Sequence, residues 1–199
     1  KVFSDAGIKI HFAGHMHIND TGSKKSETNF LVNIQVPSLA AYIPAYKILT
    51  IKSSDEMEIE TKVLNDVPRF NELFPLYEKE FLALQQAKSS TIWNKDILKT
   101  KSYHEFMLFH LKELVRLRMI PNDWPKDFIK KGRKLNGEDL LFLSQNLNGS
   151  EIKKELKQKR ISSKVYRKWN FDDLILDLYK FQSADELAKR DIPKERLEQ

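Results

Sequence analysis

Apolar and polar residues alternate with a period of two at 8–13 and 57–63, and the segments 30–36 and 46–51 are rich in β-branched and aromatic residues. A half-buried β-strand produces this alternation because successive side chains point to opposite faces of the sheet. The pattern predicts four strands, at 8–13, 30–36, 46–51 and 57–63. The segment 38–43 lies between Pro37 and Pro44. Proline is rare in central strands, so we expect a buried connecting loop there.

From about Asp66 onwards the apolar positions recur every three or four residues, which is the period of an α-helix. Two segments open with the spacing of a capping box, Ser102 with Glu105 and Ser183 with Glu186. Proline breaks helices, so we expect the helix after Ser102 to end at Pro121. The predicted helices are 76–87, 102–120, 138–147, 150–159, 170–181 and 183–190.

These patterns predict an α+β chain with two domains, a strand-rich part at 1–65 and a mostly helical part at 66–199. Hydrophobic residues make up 41% of the sequence, which is enough to form a packed core. No segment approaches the run of roughly 18 apolar residues that a membrane-spanning helix requires. We therefore expect a globular chain without a transmembrane segment.

The net charge of +6 arises entirely in the second part of the chain. Residues 1–65 hold 7 basic and 7 acidic side chains, whereas residues 66–199 hold 27 and 21. Two basic stretches, 126–134 and 153–168, also contain aromatic residues, a combination that supports nucleic-acid binding. Acidic residues are interspersed among the basic ones, which favours a solvated helix face instead. We do not expect a nucleic-acid partner.

Two histidines with candidate metal chemistry follow the first predicted strand. His15 and His17 are separated by one residue and preceded by Gly14, which allows a tight bend at the end of the strand. The chain has no cysteine, so histidine and carboxylate side chains are the remaining metal ligands. Imidazole nitrogens bind zinc, iron and manganese. By spacing alone, a surface pair is as good an interpretation as a metal site.

The segment 8–17, an apolar strand that leads into Gly-His-Met-His, resembles the final motif of the calcineurin-like metallophosphoesterases. The segment 36–47, VPSLAAYIPAYK, looks like the stretch that follows this motif in some bacterial members. The resemblance covers roughly residues 1–65. It implies that these strands come from the C-terminal edge of an α/β metallophosphoesterase sandwich, and that residues 66–199 form a helical accessory domain.

The resemblance also implies an activity, the hydrolysis of phosphate mono- or diesters at a centre of two divalent or transition metal ions such as Mn, Fe or Zn. His15 and His17 correspond to ligands of one ion each. The other family motifs, Asp-x-His, Gly-Asp-x-x-Asp, Gly-Asn-His and a further His, do not occur in this chain. We expect a preceding part of the same protein to supply them. The chain alone is then inactive, with no catalytic residue beyond its metal ligands.

Three neighbours of the motif are candidates for orienting the ligand imidazoles: His11, Asn19 and Asp20. His11 is also compatible with an ordinary strand position. Asn19 and Asp20 are equally compatible with a turn that includes Gly22. The resemblance to exported bacterial relatives favours the cell envelope or periplasm over the cytoplasm.

A second class of function is open at this point. In this alternative the protein is a non-enzymatic binding module. Its basic helical part docks a protein or an anionic polymer, and the strands serve only as a scaffold. Metal-ligand motifs upstream of residue 1 would favour the phosphoesterase over the binding module.

Overall fold

A computed structural model describes residues 2–27, 29–90, 92–145, 149–158 and 163–197. The chain is mixed α+β, which confirms the predicted class at this level. It divides into two compact units. Unit 1 comprises Lys1–Glu113 with Gln182–Asp185, and unit 2 comprises Leu114–Phe181 with Glu186–Gln199. Among the described residues, no helix has the length and apolar character needed to cross a membrane.

Unit 1 contains all the strands of the described chain. They are β1 (Ile10–Ala13), β2 (Asp20–Lys25), β3 (Phe30–Gln35), β4 (Ala45–Ile51) and β5 (Met57–Val63). The first three form a sheet in the order β1-β3-β2, in which β1 is parallel and β2 antiparallel to β3. Strands β4 and β5 form an antiparallel pair. All four predicted strands are confirmed.

Strand β2 was not predicted, and the alternative interpretation of Asp20 and Gly22 as turn residues is wrong. All six residues of β2 are exposed. An edge strand with no buried side chain carries no apolar alternation, so the sequence gives no sign of it. The central strand β3 differs, because Ile34 is almost fully buried.

The loop predicted at 38–43 is confirmed. It has no regular strand or helix, and Tyr42 and Ile43 within it are buried. The amide of Ala45 donates to the carbonyl of Ser38 at 3.3 Å, which closes the loop at the start of β4. The phenol of Tyr103 donates to the carbonyl of Leu39 at 2.8 Å. The second half of the connection is therefore buried as predicted, whereas Leu39 and Ala40 are exposed.

The helices that begin in unit 1 are α1 (Val2–Asp5), α2 (Phe74–Gln86) and α3 (Tyr103–Leu114), with a 3-10 turn at Lys95–Lys99. The capping box predicted at α3 forms in part. Ser102 Oγ accepts from the amide of Glu105 at 3.1 Å. The carboxylate of Glu105 accepts from the amide of Lys101, one residue before the position that the box requires. The helix start is therefore predicted correctly.

Unit 2 consists of short helical segments. They are a π turn (Val115–Met119), α4 (Ile120–Asp123), α5 (Lys126–Gly132), α6 (Gly137–Gln145), α7 (Gly149–Gln158), α8 (Ser163–Tyr166), α9 (Phe171–Ala184, which ends in unit 1), a 3-10 turn (Asp185–Asp191) and α10 (Lys194–Leu197). The predicted end of a helix at Pro121 is wrong. Pro121 lies in the first turn of α4, directly after the π turn. The backbone stays helical at Met119 and Ile120, so Pro121 lies where the hydrogen-bond pattern changes from that of a π turn to that of an α-helix.

The predicted helix start at Ser183 is also wrong, because Ser183 lies in the last turn of α9. The helix continues to Ala184, which is fully buried. It ends where Asp185 adopts a positive φ of 50°. Parts of other predictions, residues 146–147 and 159–162, lie outside the described residues.

The predicted domain boundary near Asp66 falls inside unit 1, which extends to Glu113. All five strands precede Asp66, and every helix longer than four residues follows it. The domain boundary near Asp66 therefore stays a prediction.

Candidate metal-binding site

The Gly-His-Met-His motif lies at one edge of the three-stranded sheet. Strand β1 ends at Ala13, which is the register partner of Gln35 at the end of β3. Gln35 is in turn the partner of Asp20 at the start of β2. Ala13, Gln35 and Asp20 therefore form one row across the sheet. The connection 14–19 joins the two outer strands and so crosses the end of β3.

The connection has an unusual backbone at both histidines. The φ angle is 73° at His15 and 57° at His17, the left-handed region that few residues other than glycine adopt. The amide of Met16 donates to the carbonyl of Gly14 at 3.0 Å. A hydrogen bond between residues i and i+2 with a positive φ at the residue between them defines a strained γ-turn. Both histidine side chains and Met16 are exposed.

The second segment that carries the family resemblance leaves the same edge of the sheet. It follows β3, which runs parallel to β1. The amide of Val36 donates to the carbonyl of Ala13 at 2.8 Å, so the two chains are still bonded where the strands end. In open α/β sheets, ligands bind outside the carboxyl ends of parallel strands. The structure thus brings 14–17 and the start of 36–44 together at such an edge.

His11 lies on β1 beside Asn33 on β3, its register partner. Its Nδ1 is 2.7 Å from Oδ1 of Asn33, and its ring packs on Phe3 with 4.8 Å between ring centroids. An amide oxygen only accepts hydrogen bonds, so Nδ1 is the donor in this contact. The structure records no contact of His11 with His15 or His17.

The side chain of Asn19 is buried and bonded to partners other than an imidazole. Its Oδ1 accepts from Nζ of Lys47 at 2.6 Å and from the hydroxyl of Thr61 at 3.3 Å. Its Nδ2 donates to the carbonyl of Ala184 at 3.3 Å. Asn19 therefore ties the end of the motif to β4 and β5. These bonds fix the position of the connection. The sequence had instead suggested that Asn19 orients a ligand imidazole.

Asp20 is exposed at the edge, and its Oδ1 accepts from the amide of Thr21 at 2.6 Å. Its carboxylate acts on Lys47 through charge. Burial lowers the pKa of Lys47 below its usual value of 10.5, and the negative charge of Asp20 offsets part of that effect. Lys47 also donates to the hydroxyl of Thr61 at 2.8 Å.

Lys47 is the residue of this region that the sequence analysis missed. The available signal is a lysine between Tyr46 and Ile48 in an apolar strand. A cation in such a position requires hydrogen-bonding partners when the strand is covered. Asn19 and Thr61 provide them here.

The donor atoms of the motif match part of a transition-metal site. Two exposed imidazoles at adjacent turns of one loop are suitable ligands for Mn, Fe or Zn. Such ions usually take three or four protein ligands. Among the described residues, no group of three or more His, Asp or Glu side chains is arranged to hold an ion. Within the described residues, the motif therefore offers two imidazole donors without a third ligand beside them.

Comparison of the chain with protein-family models, with curated proteins and with solved structures found no match.

Proposed function

We propose that this chain is the C-terminal part of a metallophosphoesterase that hydrolyses phosphate mono- or diesters. His15 and His17 each supply one ligand to a pair of metal ions, and a preceding part of the same protein supplies the rest. The observation that carries this proposal is the strained, exposed His-Met-His turn at the carboxyl edge of a parallel strand pair.

The backbone geometry suits this task. Two ions in hydrolytic centres lie about 3.5–4 Å apart, so ligands for both must come from neighbouring positions. The γ-turn at His15 and the positive φ at His17 place two exposed imidazoles on one short connection. Left-handed backbone at residues other than glycine costs roughly 1–3 kcal/mol each and is concentrated at functional sites. A packing role does not explain this cost, because neither side chain is buried.

The surrounding residues position the turn rather than take part in the chemistry. Asn19 and Lys47 fix the end of the connection to β4, and the bond between Val36 and Ala13 fixes its beginning. When bound, two such ions activate water for attack on phosphorus and stabilise the developing negative charge. The substrate class proposed here, a phosphate ester, rests on the resemblance of segments 8–17 and 36–47 to the metallophosphoesterases.

Turnover of an aryl phosphate by the complete protein tests the proposal. His15→Ala and His17→Ala should each lower kcat by more than about 100-fold, because loss of a metal ligand exceeds the effect of an outer residue. His110→Ala is a matched control, since His110 is also exposed but lies on α3. Activity of both motif variants equal to that of the control would rule out the proposed site.

The chain 1–199 by itself should show no metal-dependent hydrolysis. Two imidazoles directed at different ions leave each ion short of protein ligands. Robust hydrolysis by the purified chain that survives His15→Ala combined with His17→Ala would show that another site performs the reaction.

A further inference from the structure

Unit 2 contains a groove with a basic rim, which the proposed function does not use. Its volume is about 510 Å³. The floor is formed by Ile120, Pro121 and Ile129. The volume lies in the range of roughly 300–1,000 Å³ that is typical of small-ligand sites.

The rim is organised by helix α5. Lys126, Lys130 and Arg133 line the groove at positions i, i+4 and i+7, the spacing that places side chains on one face of a helix. Arg116 from the π turn contributes a fourth cation. None of the described residues that line the groove is acidic, so the lining side chains themselves contribute only positive charge.

Two of these cations are available to a ligand. Arg133 is held by Asp172, with its Nε 2.9 and 3.1 Å from the two carboxylate oxygens. Lys126 and Lys130 differ, because within the described part of the chain neither has a hydrogen bond or an ion pair. Like charges four residues apart on a helix repel each other. An anion placed between these two ammonium groups removes this repulsion and gains two charge-assisted hydrogen bonds.

The floor of the groove determines which kind of ligand body can bind beside the anionic group. Ile120 and Ile129 are buried and Pro121 is exposed, and lysine stems add further apolar surface beneath the charged ends. In the part of the chain that the structure describes, no aromatic ring lines the groove. Recognition of single-stranded nucleic acid relies on stacking of bases on aromatic rings, so the groove does not favour that partner. An aliphatic body suits the floor better.

We propose that this groove binds a small soluble anion with an aliphatic body and a phosphate head group. The phosphate lies between Lys126 and Lys130, and the aliphatic body lies on Ile120, Pro121 and Ile129. The site is formed by unit 2 alone and does not depend on His15 or His17. If the groove binds no such ligand, the proposed hydrolase activity is unaffected. If the hydrolase activity is absent, ligand binding in the groove is likewise unaffected.

Isothermal titration of chain 1–199 tests the proposal with three probes: octyl phosphate below its micelle concentration, inorganic phosphate, and octanol. Octyl phosphate should bind saturably at one site per chain. Each of the other two probes should bind at least about tenfold more weakly, because each lacks one half of the recognised chemistry. Equal affinity for inorganic phosphate and octyl phosphate would show that the floor takes no part.

A pair of double variants separates the groove from net charge. Lys126→Gln with Lys130→Gln should weaken octyl phosphate binding by at least about tenfold. Lys131→Gln with Lys134→Gln removes the same charge from exposed positions outside the groove. This control should change the affinity by less than about twofold, because distant exposed charges are screened by salt. Circular dichroism checks that both variants retain their helices.

Two results would overturn the inference. Equal weakening in both double variants would mean that the chain attracts anions only through its overall charge. Binding to vesicles of an anionic phospholipid, without binding to soluble octyl phosphate, would mean that the basic face recognises a membrane surface instead of a small ligand.

Discussion

His15 and His17 both adopt left-handed backbone, with φ angles of 73° and 57°, and only Met16 lies between them. Side chains with a Cβ disfavour this region because Cβ approaches the carbonyl oxygen. Two such residues in three positions require a compensating contribution. We propose that metal ions, held by the two exposed imidazoles in the complete protein, provide it.

Replacement of His15 by glycine should relieve the strain that alanine retains. Because glycine lacks Cβ, the free energy of unfolding of the His15→Gly variant should be about 1 kcal/mol higher than that of the His15→Ala variant. Urea denaturation of the two variants of chain 1–199 measures this difference. Equal stability, or a more stable alanine variant, would show that the γ-turn stores no such strain.

The Lys47 ammonium should titrate below 10.5, because burial lowers its pKa more than Asp20 raises it. Between the lowered pKa and 10.5 the unfolded chain binds more protons at this position than the folded chain. The contribution of Lys47 to the free energy of unfolding therefore rises as the pH increases through that window. NMR titration of the lysine Cε signals gives the midpoint directly.

A Lys47→Met variant is the control for the stability measurement, because it cannot titrate at this position. The rise in stability with pH attributed to Lys47 should be missing from it. A titration midpoint at or above 10.5 in the wild-type chain would contradict the cause that we assign.

The strands with at least partly buried side chains could be predicted from the sequence, whereas the fully exposed strand β2 could not. Strand β3 has Ile34 in the core, and its aromatic and β-branched residues indicate a strand. Strand β2 has six exposed residues, so its existence depends on pairing with β3 and not on any local pattern. Pro121 illustrates a second reason, since the π turn before it changes what a proline does to a helix.

The candidate site was predictable only in part. The position of His15 and His17 after a strand follows from alternation that ends at Gly14. The bonds from Asn19 to Lys47 and Ala184 join residues 28 and 165 positions apart. Contacts of this kind depend on tertiary packing, which local periodicity does not encode. The role of Asn19 in orienting an imidazole was inferred from proximity along the chain alone.

A buried ion cluster in unit 2 gives a prediction about stability. The carboxylate of Asp177 accepts from Nζ of Lys180 at 3.0 Å and from Nε of Arg196 at 2.5 Å. Asp177→Asn removes the negative charge that both cations require, and loss of one partner in a buried pair costs about 3–5 kcal/mol. We expect a loss of about 3 kcal/mol in the free energy of unfolding, measured by urea denaturation.

Glu186→Gln is the matched control for this variant. Glu186 and Lys189 form an exposed pair in the same unit, with 3.7 Å between their charged atoms. Exposed pairs contribute less than about 1 kcal/mol. Equal effects of the two substitutions would show that the Asp177 cluster is no more important than a surface ion pair.

Gly137 has no room for a side chain. A Cβ at this position would lie 2.3 Å from the carbonyl oxygen of Tyr166 and from the ring of Trp169. Gly137→Ala should therefore destabilise unit 2 by about 1–3 kcal/mol through overpacking, although alanine is the better helix former. Gly22→Ala meets no atom within 4 Å and should change the melting temperature little. Similar melting temperatures for both variants would refute the packing argument.

The metal content of the complete protein, measured by mass spectrometry of the purified material, tests the central claim most directly. We predict two transition-metal ions per molecule in the wild-type protein and a clear loss of both in the variant that combines His15→Ala with His17→Ala. His110→Ala should retain the wild-type content, because it removes an exposed imidazole away from the motif. Two ions per molecule in a folded His15→Ala and His17→Ala double variant would contradict the assignment of these residues as metal ligands.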